Sequence, residues 1–261
     1  MLSLGWSGTS QGKLVLRRAA SGLAGAAFRL RSRHLRLDEL ASVLVIAPHP
    51  DDETLGCGGA VALLARGPAR LRILFVTDGG ASHPGHPFLD SKAMAAIRLK
   101  EARSATAALG MASDQVLFLG AADGGLAQLG SGPVRELSGR ILAELQGQRP
   151  DAIFLPCRRD GSSEHDAVFD LVRGAIDHSG LTPRLFEFPV WSWWNPDLLA
   201  RLIFASGRIW RVDIESVRQV KALSMACYAS QLRPLPPDTR PALPESFASM
   251  FLGEHEFFFE R

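Results

Sequence analysis

The segment VLVIAPHPDDETLGCGG, residues 43–59, passes directly from a continuous apolar run to a cluster of ionisable side chains. The run VLVIA has no polar face, which is typical of a strand buried in a parallel sheet. One imidazole and three carboxylates follow it, at His49, Asp51, Asp52 and Glu53. Because sites in open α/β sheets lie at the carboxyl ends of strands, this segment predicts a ligand-binding or catalytic site.

The rest of the chain repeats this organisation. Further apolar runs stand at 70–79, 115–123 and 151–157, and segments with helical spacing stand at 89–110, 134–146 and 165–180. Alternating strands and helices predict right-handed βαβ units and a doubly wound, mostly parallel sheet. Beyond residue 184 we expect strands at 184–194 and 207–214, and a helix at 216–232. The pattern favours one α/β domain over residues 41–261.

Composition and charge exclude several classes of protein. Hydrophobic residues make up 46% of the 261 positions and charged residues 21%, as in soluble globular domains. The three cysteines are far apart and form no Cys-x-x-Cys pair, which favours a reducing, cytoplasmic location. Residues 1–37 carry seven basic residues and no acid, whereas the remainder carries 22 basic and 27 acidic residues. A body without a concentration of basic residues argues against nucleic-acid binding.

The basic N-terminal arm, residues 1–40, lies outside the predicted domain. Its sequence KLVLRRAASGLAGAAFRLRSRHLRL is consistent with three interpretations. A solvated amphipathic helix is the favoured one, a helix making weak contact with an anionic membrane surface is the second, and an Arg- and Ser-rich presequence is the third.

The spacing of the polar cluster suggests a metal site. Residues His49 and Asp52 are three positions apart, so in a turn or helix both can face one cation. Asp51 is offset and could reach a water on that cation, which is the arrangement that metal-assisted hydrolysis needs. His165, after the fourth apolar run, is the best candidate for a third ligand. Two alternatives stay open: the acids could cap a helix beginning near Thr54, or the glycines could form a nucleotide-binding turn.

Four motifs in order resemble the LmbE/PIG-L family of zinc-dependent N-deacetylases. They are PHPDDE at 48–53, TDGGAS at 77–82, RLKEARSATAALG at 98–110 and YASQL at 228–232. The resemblance covers about residues 40–235 and implies a Rossmann-like three-layer sandwich. In the second motif Gly80 stands where the family has an acid.

The family resemblance also implies an activity and a set of site residues. The activity is metal-dependent hydrolysis of an N-acyl group, usually acetyl, from an amino sugar or sugar conjugate, either a small molecule or lipid-linked. The metal is Zn²⁺, although histidine and carboxylate ligands also suit Fe²⁺. The resemblance implies His49, Asp52 and His165 as metal ligands, Asp51 as general base, Arg98 as a substrate contact and Asp160 as a supporting group. Asp78, at a strand end, and Ser162, whose hydroxyl can donate, are two further candidate substrate contacts, and Glu53 is a further candidate supporting group.

One segment departs from the family pattern. Where many members have D-x-H-P-D-H, this chain has DGSSEH at 160–165. Ser162 therefore replaces a histidine that helps to stabilise the oxyanion, and a serine hydroxyl cannot carry a positive charge. The departure leaves two alternatives: a catalytically weakened, carbohydrate-binding relative, or an amidase acting on a different N-acyl substrate.

Overall fold

An eight-stranded sheet forms the centre of the molecule. The computed structural model describes residues 11–204 and 207–260, apart from the side chains of residues 11, 13, 14 and 18. The strands are β1 (Arg33–His34), β2 (Ser42–Ala47), β3 (Arg70–Thr77), β4 (Val116–Ala121), β5 (Ala152–Pro156), β6 (Arg184–Phe188), β7 (Arg208–Asp213) and β8 (His255–Glu260). Their order across the sheet is β1-β7-β8-β6-β5-β2-β3-β4.

Helices cover both faces of this sheet. They are α1 (Gln11–Arg31), α2 (Asp52–Leu64), α3 (Ser91–Ala108), α4 (Ser131–Gln148), α5 (Ser163–Ser179), α6 (Pro196–Phe204), α7 (Arg218–Ala226) and α8 (Ala229–Leu232). Side chains from α2, α3 and α7 join the core on one face, and those from α4 and α5 join the core on the other. Within the part of the chain that the structure describes, no helix has the length and apolar character needed to cross a bilayer.

Strand β2 shows why the sequences of the central strands are continuous apolar runs. Val43 and Val45 point into one core, whereas Leu44 and Ile46 point into the other. A strand with helices on both faces has no solvent side on which polar residues would alternate. The pairs β2–β3, β3–β4, β2–β5 and β5–β6 are parallel, and β8 is antiparallel to β6 and β7. The predicted three-layer α/β fold is confirmed.

The strand order reverses beside β2. The chain runs outward from β2 through β3 to β4, and it then returns to place β5 against the other edge of β2. Such a switch point opens a crevice at the carboxyl ends of the two central strands, because their following loops diverge. His49 follows β2, and His165 lies in the first turn of the helix after β5. The topology therefore brings these two histidines to the same crevice.

Two predicted elements end earlier than expected. The strand predicted over 184–194 stops at Phe188, and a 3₁₀ turn follows at Trp191–Trp194. The backbone amides of residues 190–192 donate to the Asp160 carboxylate there, which ends strand pairing. The helix predicted over 216–232 divides at Tyr228, whose backbone is not helical. Its hydroxyl donates to Glu53, 2.6 Å away, across the interface with α2.

The N-terminal arm contributes helix α1, while residues 1–10 of the predicted arm lie outside the described residues. Its inner face buries Ala24 and Phe28 against Phe257 and Phe259 of β8. Strand β1 then pairs with β7 in parallel. The boundary between arm and domain at residue 40 stays a prediction.

Candidate metal centre and active site

Three ligand atoms converge at the switch point. His49, Asp52 and His165 each offer one ligand atom, and these three atoms all lie within 4.8 Å of one another. Asp52 Oδ2 is 3.1 Å from His49 Nδ1 and 3.3 Å from His165 Nε2. The structure thus brings together the three residues that the sequence predicts as metal ligands.

The turn between β2 and α2 sets the first two ligands. Helix α2 begins at Asp52, so His49 and Asp52 lie one turn apart on the same side. The backbone N–H of His49 donates to Asp52 Oδ2 over 3.0 Å, which fixes the carboxylate beneath the imidazole. The His49 side chain keeps 21% of its surface exposed, whereas that of Asp52 keeps 4%. The centre therefore opens to solvent on the His49 side.

The third ligand, His165, has a nitrogen suited to a cation. Its Nδ1 is 3.2 Å from Asp160 Oδ2, and its side chain is completely buried. The opposite nitrogen, Nε2, makes no hydrogen bond to any residue in the described ranges. A buried nitrogen without a hydrogen bond is costly unless something else satisfies it. With a second imidazole and a carboxylate alongside, the donor set fits a divalent metal ion such as zinc.

Carboxylates also hold the far side of His49. Its Nε2 is 2.9 Å from Glu164 Oε2 and 3.3 Å from Asp123 Oδ1. Both candidate histidine ligands therefore have one nitrogen facing the metal position and the other facing an acid. Such partners orient a metal-binding imidazole and increase its basicity. His49, Asp123 and Glu164 also form a second group of potential ligand atoms.

The electrostatics of the cluster favour positive charge. Burial lowers the pKa of His165, but the neighbouring Asp52 and Asp160 outweigh it and raise that pKa to about 9. Burial likewise opposes charge on His49, yet its contacts with Asp123, Asp52 and Glu164 raise its pKa well above the usual value. Although burial favours the neutral carboxyl, the adjacent His165 lowers the pKa of Asp52. A cavity that stabilises charged imidazoles will stabilise a bound cation for the same reason.

Asp51 stands beside the ligands in a strained backbone conformation. Its φ is +128°, a region that favours glycine, so the surrounding contacts must hold it there. Its Oδ2 lies 3.1 Å from Nη2 of Arg98. Burial raises the pKa of Asp51 to about 7, although Arg98 opposes that shift. Its side chain makes no capping hydrogen bond to α2, so the capping alternative does not describe this acid.

Glu53 holds the Asp51 backbone from below. Its Oε2 accepts the Asp51 N–H over 3.0 Å, and its Oε1 accepts hydroxyl hydrogens from Thr54 and Tyr228. Glu53 is fully buried, and burial raises its pKa. The supporting role expected of Glu53 thus has a geometric basis, because the strained residue is tied to a carboxylate that is itself fixed.

The three predicted substrate contacts occupy different positions. Arg98 is buried between Asp51 and the Tyr228 ring and donates to the carbonyl of Pro50. Ser162 caps α5, since its Oγ accepts the N–H of His165 over 3.4 Å. Asp78 Oδ1 accepts the N–H of Gly80 over 2.9 Å and that of Asp123 over 3.3 Å, and it thereby connects two loops. Their contact with substrate stays a prediction.

Close packing explains why glycine stands at position 80 in the TDGGAS motif and at positions 56 and 59 after the PHPDDE motif. A Cβ at Gly80 would lie 2.6 Å from the Ser91 carbonyl oxygen, so the acid found here in the family has no room. Gly56 and Gly59 lie within α2, where a Cβ would collide with Phe188 and Ile214 respectively. They permit close packing of the helix and do not form the nucleotide-binding turn that the sequence left open.

Three functional candidates received little weight from the sequence. Asp123 follows β4 and was distinguished only by its position at a strand end. Glu164 directly precedes His165 in the sequence, but this position does not indicate that Glu164 contacts His49. Tyr228 belongs to a recognised motif, yet its bond to Glu53 joins residues 175 positions apart. In each case the contact depends on tertiary structure.

A doubly wound sheet with a His–Asp–His cluster at its switch point, beside a buried carboxylate, is the arrangement that a metal-dependent hydrolase needs. The model of the PIG-L family, described as GlcNAc-PI de-N-acetylase, matches residues 44–176, which is about half of the chain. The chain belongs to this family.

Solved structures share the fold over most of the chain. N,N'-diacetylchitobiose deacetylase from Pyrococcus horikoshii covers 98% of this chain and 95% of its own, with TM-score 0.60 and 18% identity. A deacetylase triple mutant of teicoplanin biosynthesis covers 84% and 97%, with TM-score 0.64 and 19% identity. The 4-carboxy-2-hydroxymuconate hydratase GalB from Pseudomonas putida covers 80% and 82%, with TM-score 0.61 and 17% identity. Family membership supports metal-dependent N-deacetylation of amino sugar conjugates, and the deacetylase neighbours share this fold.

Proposed function

We propose that this chain is a zinc-dependent deacetylase that removes the N-acetyl group of an amino sugar conjugate and releases acetate and a free amine. The convergence of His49 Nδ1, Asp52 Oδ2 and His165 Nε2 is the observation that carries the proposal. Two nitrogens and one oxygen in a compact group suit zinc, which keeps a further position open in catalytic sites. Fe²⁺ is the alternative metal for the same donors.

Asp51 is the proposed general base. A bound cation would polarise the amide carbonyl and make water nucleophilic at neutral pH. The Asp51 carboxylate accepts the proton of the attacking water and later delivers it to the departing amine. A pKa of about 7 suits both transfers, because the group can then exist in either protonation state near neutrality. Arg98, 3.1 Å away, orients the carboxylate for this exchange.

Arg98, Ser162 and Asp78 are the proposed substrate contacts. Nε and Nη1 of Arg98 are buried and have no hydrogen-bond partner within residues 11–204 and 207–260, which supports a role in binding an oxygen of the substrate. The Ser162 oxygen accepts a bond from His165, so its O–H is still able to donate to an oxyanion. Asp78 is the third proposed contact, because it lies where the loop after β3 meets the loop after β4.

The proposed substrate is an N-acetylated amino sugar, either a small molecule or linked to a lipid. Family membership supports the sugar, since the family is described by its action on GlcNAc-PI. We place the protein in the cytoplasm, consistent with free thiols at Cys57 and Cys227.

Replacing Asp51 by Asn tests the proposal. The amide cannot accept the proton, so we expect turnover of an N-acetylated amino sugar to fall about 10²–10⁴-fold while bound zinc is unchanged. His49→Ala is the contrasting variant, because it removes a ligand and should lose zinc as well as activity. Acetate release and elemental analysis provide the two measurements. Full activity in Asp51→Asn would contradict the role of Asp51.

Ser162 motivates a second candidate function. Because this serine replaces a charged donor, the chain could bind a sugar with little catalysis, and GalB shows that the fold also carries a hydratase. A panel of N-acetylated sugars and other N-acyl amides separates these functions. Binding without acetate release would favour the weakened relative, and release of a different acid would favour an amidase with another substrate.

A further inference from the structure

Helix α1 exposes an apolar row on the side facing away from the protein. Leu16, Leu23 and Leu30 are exposed by 70%, 75% and 88% respectively. They follow one another at seven-residue intervals, so they lie along one side of the helix. The exposed Ala19 and Ala26 lie between them at three- and four-residue spacing. The result is a narrow apolar strip that no described part of the chain covers.

The strip extends beyond α1. Helix α6 packs beside α1, and Arg31 donates to the carbonyl of Ile203 near its end. Phe204, the next residue, is 84% exposed. Large apolar side chains of two neighbouring helices therefore reach solvent in the same region. Exposed apolar patches of this kind mark interaction surfaces more often than isolated leucines do.

Basic side chains border the strip on both sides, although Arg29 Nη1 also lies 3.8 Å from Oε2 of the exposed Glu254. Residues preceding and following a helical position lie about 100° to either side, so Arg29 and Arg31 flank Leu30. Both arginines are exposed. Helix α1 contains no acidic residue at all. An apolar strip bordered by arginines is complementary to a surface that offers both hydrocarbon and negative charge.

We infer that α1 and the end of α6 dock on an anionic phospholipid membrane surface. The leucines would enter the boundary between headgroups and acyl chains, and the arginines would contact lipid phosphates. A second copy of the chain fits less well, because α1 contains no acid, so pairing two copies of this helix would place basic side chains against each other.

The inner face of α1 holds this strip in a fixed relation to the metal centre. Ser21 donates to the carbonyl of Trp193 over 2.8 Å, and the ring of Phe28 lies edge-on to Trp193 at 5.7 Å. The turn containing Trp193 is anchored to Asp160, which also holds His165. Docking through α1 would therefore orient the candidate active site with respect to the membrane.

Vesicle binding by the full chain tests the inference without any turnover, so its outcome is independent of the proposed function. The probes are vesicles of pure phosphatidylcholine and vesicles of equal parts phosphatidylcholine and phosphatidylglycerol. We expect co-sedimentation with the anionic vesicles that weakens as salt is raised, because salt screens the arginines. The variant Leu23→Ser/Leu30→Ser should bind about a hundredfold more weakly, at roughly tenfold for each leucine.

Leu223→Ser is the matched control. Leu223 is 61% exposed on α7, which covers the opposite face of the sheet, so its loss should leave vesicle binding unchanged. Analytical ultracentrifugation of the same proteins identifies the alternative occupant. The inference fails if the wild-type chain does not bind anionic vesicles, or if the leucine pair does not matter. It also fails if the wild-type chain forms a dimer that this pair disrupts.

Discussion

Glu164 shows how one residue joins two parts of the candidate site. Its Oε1 accepts the N–H of Leu126 over 2.9 Å, and its Oε2 lies 2.9 Å from His49 Nε2. One carboxylate thus connects the loop after β4 to His49, the candidate metal ligand that follows β2. The family has an aspartate at this position, and the longer side chain here spans the distance to both partners.

Replacing Glu164 by Gln keeps its shape but removes its negative charge. His49 then loses the nearer of the two carboxylates that make its imidazole more basic, so we expect zinc affinity to fall about 10–100-fold. Competition with a chromophoric chelator measures the affinity. The control is Glu144→Gln, since Glu144 pairs with Arg72 away from the metal centre. Unchanged affinity in Glu164→Gln would show that this carboxylate does not act on the ligand.

At the scale of single elements, α2 is the helix on which the site is built. It is broken at Cys57, where the backbone leaves helical values at φ −141° and ψ 19°. The break leaves backbone groups unpaired, and two buried charges satisfy them. Lys221 Nζ donates to the Leu55 carbonyl over 2.8 Å, while Glu256 accepts the N–H groups of Gly59 and Ala60. Lys221 and Glu256 themselves lie 2.7 Å apart.

Lys221→Met should destabilise the protein through this break. The apolar side chain leaves Glu256 buried without its cation, which typically costs about 3–5 kcal/mol in the free energy of unfolding. Urea unfolding followed by circular dichroism measures the loss. The double variant Lys221→Met/Glu256→Gln should lose less than the sum of the single variants, because the second change removes the stranded charge. Strict additivity would indicate that the two side chains do not stabilise each other.

At the scale of the whole molecule, the candidate metal centre joins loops from the two halves of the sheet. His49 and Asp52 follow β2, and His165 belongs to the helix after β5. Their cluster carries the carboxylates of Asp52, Asp123 and Glu164 within a small volume. A cation that binds there will stabilise the folded chain by mass action, since the unfolded chain does not assemble the site.

Chelation of the metal should therefore lower the thermal midpoint. At a thousandfold excess of zinc over its dissociation constant, binding contributes about 4 kcal/mol, which corresponds to roughly 10 °C in a chain of this size. Differential scanning calorimetry with zinc or with a chelator measures the shift. His165→Ala is the control, because a chain without the third ligand should show little response. Equal responses from both chains would place zinc elsewhere.

The sequence by itself determined the central sheet and the family, and it indicated the candidate metal ligands. Buried parallel strands require continuous apolar runs, and ligands one helical turn apart are visible as His49 and Asp52. Both signals depend only on residues that are close in the sequence, so they can be recognised without a structure. The break in α2 and the turn at Trp191–Trp194 were not visible, because each depends on a charge supplied from a distant part of the chain.

The tertiary structure alone decided how the ligands are supported and which surfaces stay uncovered. Glu164 reaches His49, and Tyr228 reaches Glu53, across 115 and 175 positions respectively. From the sequence alone, the apolar strip of α1 is the expected buried face of an amphipathic helix. In the structure, Ala24 and Phe28 form the buried side instead. Helical periodicity identifies an apolar face, but only packing determines whether the protein or its surroundings covers it.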